Sequence, residues 1–238
     1  MKFAYLIEPP FNYLTAEGEV TGTDVELAKT ILTKIGYNRF EPIEAEFADL
    51  LPGVASGKWR MTTGLFATEE RKKIASFSKP IWALPDGLLV PLGNPLGLTG
   101  YQSVAQSDDC TLAVIRDQFQ HRSAVELGVP EERLMIFETY TEAANAVKNN
   151  LADAYASVAR AHVGYIELHN QIDLDVVDVP TTEKLPAFGC FGFSHSDVEL
   201  RELVDCALVD YLGSSDHRSL MYQFGFSDSE IDLVCSKK

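Results

Sequence analysis

The chain has 238 residues, and 35 acidic side chains against 20 lysines and arginines give it a formal net charge of −15 at pH 7. A chain of this length buries about 70 per cent of its unfolded surface, so a substantial core is expected, in one large domain or in two smaller lobes. Nucleic acids and anionic membranes repel so acidic a protein and are excluded as expected partners. No apolar run approaches the roughly 18 residues of a membrane-spanning helix.

The first apolar segment, residues 3–7, is followed at once by Glu8 and two prolines. A signal peptide needs a longer apolar region before its cleavage site. We therefore expect the first strand of a mature domain here, and an exported protein would have lost its signal peptide.

Strand and helix patterns alternate along the chain, which predicts α/β units with parallel strands. The first helix is expected to begin at Thr23 or Asp24 and to end before Gly36. Further elements of this unit are predicted as a strand over 40–47, a helix over 49–56, and strands over 61–66 and 86–92.

The breaker cluster at 93–97 predicts a crossover into a second α/β unit, and residues 181–186 predict the return. The second unit is expected to contain strands over 111–115, 133–137, 152–156 and 174–179 and helices over 117–127, 141–149 and 158–168. A strand over 188–193 and three helices within 197–234 then complete the first unit. The predicted lobes are 1–92 with 186–238, and 93–185, with a ligand cleft between them.

The four cysteines lack the spacing of a zinc site, and no metal or cofactor is expected. Two states remain open from the sequence: a disulfide between Cys206 and Cys235, or four reduced thiols that include Cys110 and Cys190.

An arginine follows a strand-to-helix turn in the segment 64–71. A guanidinium group holds a planar carboxylate through two parallel hydrogen bonds, which a lysine cannot do. Arg71 is therefore a candidate ligand for a carboxylate. The alternative is a surface ion pair with Glu69 or Glu70.

Several segments, in their order and spacing, resemble the extracytoplasmic solute-binding proteins of amino-acid ABC transporters. They are 20–27, 47–58, 64–71, 77–80, 152–156 and 222–226. The resemblance implies a two-lobe periplasmic-binding-protein fold of type II in a periplasmic, monomeric protein. It also implies a small zwitterionic ligand delivered to the membrane permease of an ABC importer. In this family pattern Arg71 binds the ligand carboxylate, and the backbone at Gly64 approaches the ligand.

Two positions depart from the amino-acid-binding pattern. Phe66 stands where the family usually has a hydroxyl for the ligand carboxylate, and Val158 stands where it often has an aspartate for the α-ammonium. A buried ammonium without that partner costs several kcal/mol. An ordinary α-amino acid is therefore disfavoured as the ligand.

Residues 8–11, Phe47 and residues 64–66 with Arg71 resemble the ectoine and hydroxyectoine binding proteins, in which aromatic rings enclose a delocalised ring cation. That resemblance implies that Phe11, Phe47 and Phe66 form the aromatic box, with Glu8 on the N–H groups of the ligand and Arg71 on its carboxylate. A cation over an aromatic face gains about 0.5 to 2 kcal/mol. Each phenylalanine also has an alternative interpretation as a core residue.

From the second lobe, Asp117 at a strand-to-helix turn and Ser157 after a strand are the candidate ligand contacts. Trp59 is predicted to be a core residue. Trp82 lines the cleft or packs at the hinge, and of these two alternatives we prefer packing at the hinge.

Three functions fit this fold: transport, ligand sensing as part of a receptor, and dehydration of a small acid with Glu8 as general acid. The sequence has no GxSxG motif and no metal-ligand cluster, so an enzyme is not expected. Neighbouring permease and ATPase genes would favour transport, whereas fusion to a kinase or cyclase would favour sensing.

Overall fold

A computed structural model describes residues 1–235 and divides the chain into two compact units. Unit 1 comprises Met1–Ala83 together with the C-terminal segment from Ala187 onward, and unit 2 comprises Leu84–Pro186. The chain therefore leaves unit 1 once and returns to it once. Residues 236–238 of the predicted first lobe lie outside the described residues.

Helices and strands alternate through most of the chain. Within residues 1–235 the strands are β1 (Lys2–Tyr5), β2 (Tyr13–Leu14), β3 (Val20–Thr21), β4 (Glu41–Glu44), β5 (Met61–Phe66), β6 (Ser76–Leu84), β7 (Asp86–Pro91), β8 (Leu112–Ile115), β9 (Leu134–Phe137), β10 (Ala154–Val158), β11 (Leu174–Asp178) and β12 (Ala187–Phe193). The α-helices of the same residues are α1 (Thr23–Lys34), α2 (Phe47–Ala55), α3 (Tyr101–Gln106), α4 (Phe119–Glu126), α5 (Tyr140–Lys148), α6 (Ala159–His169), α7 (Val198–Tyr211), α8 (Ser215–Gln223) and α9 (Asp228–Cys235). Short 3₁₀ helices lie at Arg71–Lys73 and Glu131–Arg133.

The main sheet of unit 1 has the strand order β4-β1-β5-β12-β6. Strand β1 pairs in parallel with β4 and β5, whereas β12 is antiparallel to β5. The expectation of parallel strands is therefore confirmed for β1, β4 and β5 and is wrong for β12. Strand β12 follows the segment that returns from unit 2, so no β-α-β crossover within unit 1 sets its direction.

The sheet of unit 2 has the order β11-β7-β10-β8-β9, and β7 is antiparallel to both of its neighbours. Because both partners of β7 belong to unit 2, residues 86–91 belong there too, and the prediction that placed them in the first lobe needs correction. The units divide at 83/84 and 186/187 instead of 92/93 and 185/186. The predicted crossover at 93–97 is a turn within unit 2, closed by hydrogen bonds of 2.8 and 2.9 Å between Asn94 and Leu98.

Strand β6, which carries Trp82, was not predicted from the sequence. Pro80 interrupts its pattern of backbone donors, and a proline inside a strand argues against a central position. The structure resolves the conflict by placing β6 at the edge of the sheet. Phe47, predicted at the end of a strand, is instead the first residue of α2.

Trp59 belongs to the core of unit 1, as predicted. Its side chain is 1% exposed, and its indole N–H donates to the carbonyl of Leu50 at 2.9 Å. A Cβ atom on Gly53 would lie 2.0 Å from the indole ring, so the close packing of α2 on Trp59 requires glycine there.

Within residues 1–235 no disulfide joins Cys206 and Cys235. Cys110 and Cys190 are buried, and Cys206 is exposed.

His162 in α6 is fully buried in unit 2. Its Nε2 atom lies 3.2 Å from the carbonyl oxygen of Gly87, and its Nδ1 atom lies 2.6 Å from the hydroxyl of Tyr140. A carbonyl only accepts, so Nε2 carries the proton and Nδ1 accepts from the tyrosine, which describes a neutral imidazole. Burial lowers the pKa of His162 from 6.5 to about 3.

Acid is therefore expected to destabilise unit 2 through His162. The histidine binds a proton in the unfolded chain below its ordinary pKa but stays neutral in the fold, so its contribution is present above that pKa and is lost as pH falls. Between about pH 7 and about pH 5 this loss amounts to about 2 kcal/mol. Urea unfolding of the wild type and of His162→Gln at both pH values measures it. Equal pH dependence in the two proteins would contradict the assignment, and His195→Gln, at an exposed position, is the control.

Candidate functional site

Arg71 follows the carboxyl end of β5 and begins a short 3₁₀ helix. Its backbone N–H donates to the hydroxyl of Thr68 at 3.3 Å, and its Nη1 atom donates to the carbonyl of Phe66 at 3.1 Å. The guanidinium carbon lies 5.0 Å from the centre of the Phe47 ring. These contacts hold the partly exposed arginine at the end of β5. The neighbouring Lys72 forms the surface pair with Glu69, at 2.7 Å.

Phe47 connects the arginine to the core of unit 1. It is partly buried and packs against the cluster that includes Leu50, Val54 and Trp59. Its ring face also meets the guanidinium of Arg71. The two interpretations of Phe47, as a core residue and as an aromatic residue of the site, are therefore compatible in this geometry.

An aromatic cluster in unit 1 is centred on Trp82. Its ring centroid lies 5.4 Å from that of Phe11 and 5.5 Å from that of Phe66, which meets it edge to face at 80°. Phe226 adds a further edge contact to Phe11 at 6.2 Å. The structure thus brings Phe11 and Phe66 together on Trp82, and their role as an aromatic box around a ligand stays a prediction.

A buried carboxylate fixes the tryptophan. Asp24 is 1% exposed, and its Oδ1 atom accepts from the indole N–H of Trp82 at 2.9 Å. Its Oδ2 atom accepts from the hydroxyl of Thr63 at 2.6 Å and from the backbone N–H of Gly64 at 2.7 Å. Burial raises the pKa of Asp24, and these hydrogen bonds oppose the rise because they favour the ionised form.

Gly64 leaves room for this arrangement. A Cβ atom there would lie 2.6 Å from the ring of Trp82 and 2.9 Å from Oδ2 of Asp24. Glycine is therefore required by the neighbouring side chains. The approach of its backbone to a ligand stays a prediction.

Glu8 lies in a tight turn that leads to Phe11. Its N–H donates to the carbonyl of Asn12 at 2.8 Å, and its own carbonyl accepts from the N–H of Phe11 at 2.9 Å. The side chain of Asn12 donates to the hydroxyl of Thr63 at 2.8 Å, which connects the turn to β5. This turn places Glu8 on the segment that carries Phe11.

The two remaining predicted contacts belong to unit 2. Asp117 is exposed, has a left-handed backbone (φ 62°) and lies just before α4. Ser157 is 1% exposed on β10, in register with Gly87 of β7. The next residue, Val158, lies opposite Asp86 in the same pair of strands.

The carboxylate of Asp86 already has hydrogen-bonding partners within unit 2. This buried carboxylate accepts from Lys184, from the hydroxyl of Tyr101 at 2.8 Å and from the amide of Gln120 at 2.8 Å. Burial lowers the pKa of Lys184, while the carboxylate favours the charged form. Sequence reasoning missed this cluster because its members are far apart in the chain and form no local motif.

Among residues 1–235 no group of three or more His, Cys, Asp or Glu side chains is arranged to hold a metal ion. No helix in this part of the chain is both long enough and apolar enough to cross a membrane.

The profile of the bacterial extracellular solute-binding proteins, family 3, matches residues 2–224. The chain belongs to this family. The match includes every site residue predicted from the sequence and confirms the predicted relationship to the solute-binding proteins of amino-acid ABC transporters. A curated relative of this family 3 protein is the probable amino-acid ABC transporter periplasmic-binding protein y4tE of Sinorhizobium fredii, 26% identical over 97% of this chain and 78% of the relative.

Solved structures share the fold of this family 3 protein. EhuB in complex with hydroxyectoine covers all of this chain and 94% of its own, at 24% identity and a TM-score of 0.86. An ancestral arginine-binding protein bound to arginine matches 94% of this chain and 97% of its own, at 21% identity and a TM-score of 0.82. The predicted α/β, two-lobe type II fold is confirmed. The chain is a solute-binding protein of the ABC-transporter type.

Proposed function

We propose that this protein binds a small zwitterionic carboxylate solute of the ectoine type and delivers it to an ABC importer. The observation that carries the proposal is the placement of Arg71 beside an aromatic cluster. The guanidinium is held by the carbonyl of Phe66 and the ring of Phe47, and the side chain of Phe66 packs on Trp82. A carboxylate on Arg71 would therefore leave the rest of a small ligand near aromatic rings.

The second argument concerns the ammonium group of an α-amino acid. Val158 supplies no anion where the family often has an aspartate, and the carboxylate opposite it, Asp86, is neutralised by Lys184. Asp24 already accepts hydrogen bonds from three donors of unit 1, through both of its oxygens. An α-ammonium would need an ionic partner that none of these positions offers, whereas a delocalised ring cation is stabilised by aromatic faces.

The proposed contacts have separate roles. Arg71 holds the carboxylate, while Phe11, Phe47 and Phe66 provide aromatic surface and Glu8 accepts from ligand N–H groups. The backbone at Gly64, together with Asp117 and Ser157 of unit 2, is proposed to contribute further contacts. The solved complex of EhuB with hydroxyectoine, which matches the full length of this chain, supports the choice of ligand class.

Calorimetric titration with hydroxyectoine, ectoine, arginine and glutamine tests the proposal. We expect one site per chain, with hydroxyectoine or ectoine bound at least about tenfold more tightly than either amino acid, a difference of about 1.4 kcal/mol. Tighter binding of arginine, or no binding of the two cyclic solutes, would refute the ligand class. Native mass spectrometry of gently purified protein supplies an independent observation, because a copurified ligand reports its own mass.

A further inference from the structure

Trp82 occupies the centre of the aromatic cluster in unit 1, although it belongs to none of the predicted contacts. Its ring packs on Phe11 at 5.4 Å and on Phe66 at 5.5 Å, and 7% of the residue is exposed. The ring also fills the space beside Gly189, where a Cβ atom would lie 2.1 Å from it. The residues on both sides therefore restrict the positions that the indole can adopt.

Asp24 fixes the rotation of that ring. Its carboxylate is buried at the start of α1, and the indole N–H donates to Oδ1 at 2.9 Å. The same carboxylate is anchored on β5 through Thr63 and the backbone of Gly64. A hydrogen bond between an ionised acceptor and a buried donor is directional and roughly twice as strong as a neutral one. Asp24 thus joins the position of Trp82 to the strand that ends beside Arg71.

We propose that Trp82 is a specificity-determining wall of the ligand site and that Asp24 is its positioning residue, held by the Trp82–Asp24 hydrogen bond. This inference rests on the proposed function. Because Asp24 takes the only hydrogen-bond donor of the indole, Trp82 offers a ligand its ring surface alone. The wall therefore selects a flat apolar group or a delocalised cation over a group that must receive a hydrogen bond.

A double-mutant cycle on the affinity for hydroxyectoine tests the coupling. Asp24→Asn keeps the shape of the side chain but brings an amide NH₂ group among three hydrogen-bond donors. We expect about a tenfold loss of affinity from Asp24→Asn in the wild type, and less than about a twofold further loss in the Trp82→Phe background. Additive losses would show that Asp24 acts independently of Trp82 and would overturn the positioning role. Glu26→Gln on the same helix is the matched control and should leave the affinity unchanged.

Fluorine NMR of the wild-type protein labelled with fluorotryptophan tests whether the ligand contacts Trp82. The chain has two tryptophans, and loss of one resonance in Trp82→Phe assigns them. Hydroxyectoine is expected to shift the resonance of Trp82. The resonance of Trp59, which is buried in the core, is expected to stay unchanged. Binding by calorimetry without a shift at Trp82 would overturn the wall and leave the proposed function intact.

The same label separates a failure of the inference from a failure of the proposed function. If hydroxyectoine does not bind the wild type, the proposed function fails. The positioning role is then decided in the ligand-free protein, where Asp24→Asn is expected to shift the resonance of Trp82. An unmoved resonance in that variant would overturn the positioning role.

Discussion

Arg71→Ala is expected to weaken the binding of hydroxyectoine by at least about 30-fold, the largest effect on affinity of any single substitution at the site. The arginine is held beside a carbonyl and an aromatic ring, at 3.1 Å and 5.0 Å, so its guanidinium is already oriented when a carboxylate arrives. Truncation of one partner of a hydrogen-bonded charge pair costs about 2 to 5 kcal/mol when the pair is excluded from water. Isothermal titration calorimetry measures the change directly.

Two further variants separate charge from geometry. Arg71→Lys keeps the positive charge but loses the two-pronged hydrogen bond, so an affinity between those of the wild type and Arg71→Ala is expected. Lys72→Ala removes the adjacent cation, which pairs with the exposed Glu69, and should leave the affinity near that of the wild type. Unchanged affinity in Arg71→Ala would show that the carboxylate binds elsewhere.

Lys184→Met is expected to destabilise unit 2 by about 3 to 5 kcal/mol, because it leaves the buried carboxylate of Asp86 without its cation. The side chain of Asp86 is 1% exposed and that of Lys184 is 13% exposed, so water does not replace the lost charge. Tyr101 and Gln120 continue to donate to the carboxylate, but neutral donors do not balance it. Urea unfolding at neutral pH, followed by circular dichroism, measures the free energy.

The double variant Asp86→Asn with Lys184→Met distinguishes charge from packing. Removal of both charges should recover much of the lost free energy, since the cost of the single variant comes mainly from an unpaired buried ion. Arg122→Met, which breaks an exposed pair with Glu126 in the same unit, should cost less than about 1 kcal/mol. A single variant as stable as the wild type would contradict the stabilising role of the Asp86–Lys184 pair.

Much of the secondary structure is visible in the sequence because it depends on local patterns. Strand β5 has its predicted limits, and α1 begins and ends near its predicted residues because Gly36 has a positive φ of 91° that terminates it. The positions of strands within the sheets are harder to predict. Strand β6 was not predicted because it contains Pro80. The position of β7 between β10 and β11 depends on partners far along the chain.

The candidate site likewise has residues that local sequence suggests and residues that depend on distant partners. The family assignment follows from segment order and spacing and is confirmed. Arg71, Phe11, Phe47 and Phe66 are candidates from the sequence, and their contacts with a ligand stay a prediction. The position of Trp82 is not predictable from its neighbours in the sequence, because its partner, Asp24, lies 58 positions earlier.

The amino-acid sequence by itself determined the α/β class, the family, and the arginine at the end of β5, because each depends on neighbouring residues or on their spacing. Tertiary structure alone decided which buried charges are satisfied. The Trp82–Asp24 hydrogen bond joins residues 58 positions apart, and the Lys184–Asp86 pair joins residues 98 positions apart. Such contacts form only when the fold removes both partners from water, and the cost of an unpaired buried charge then makes them specific.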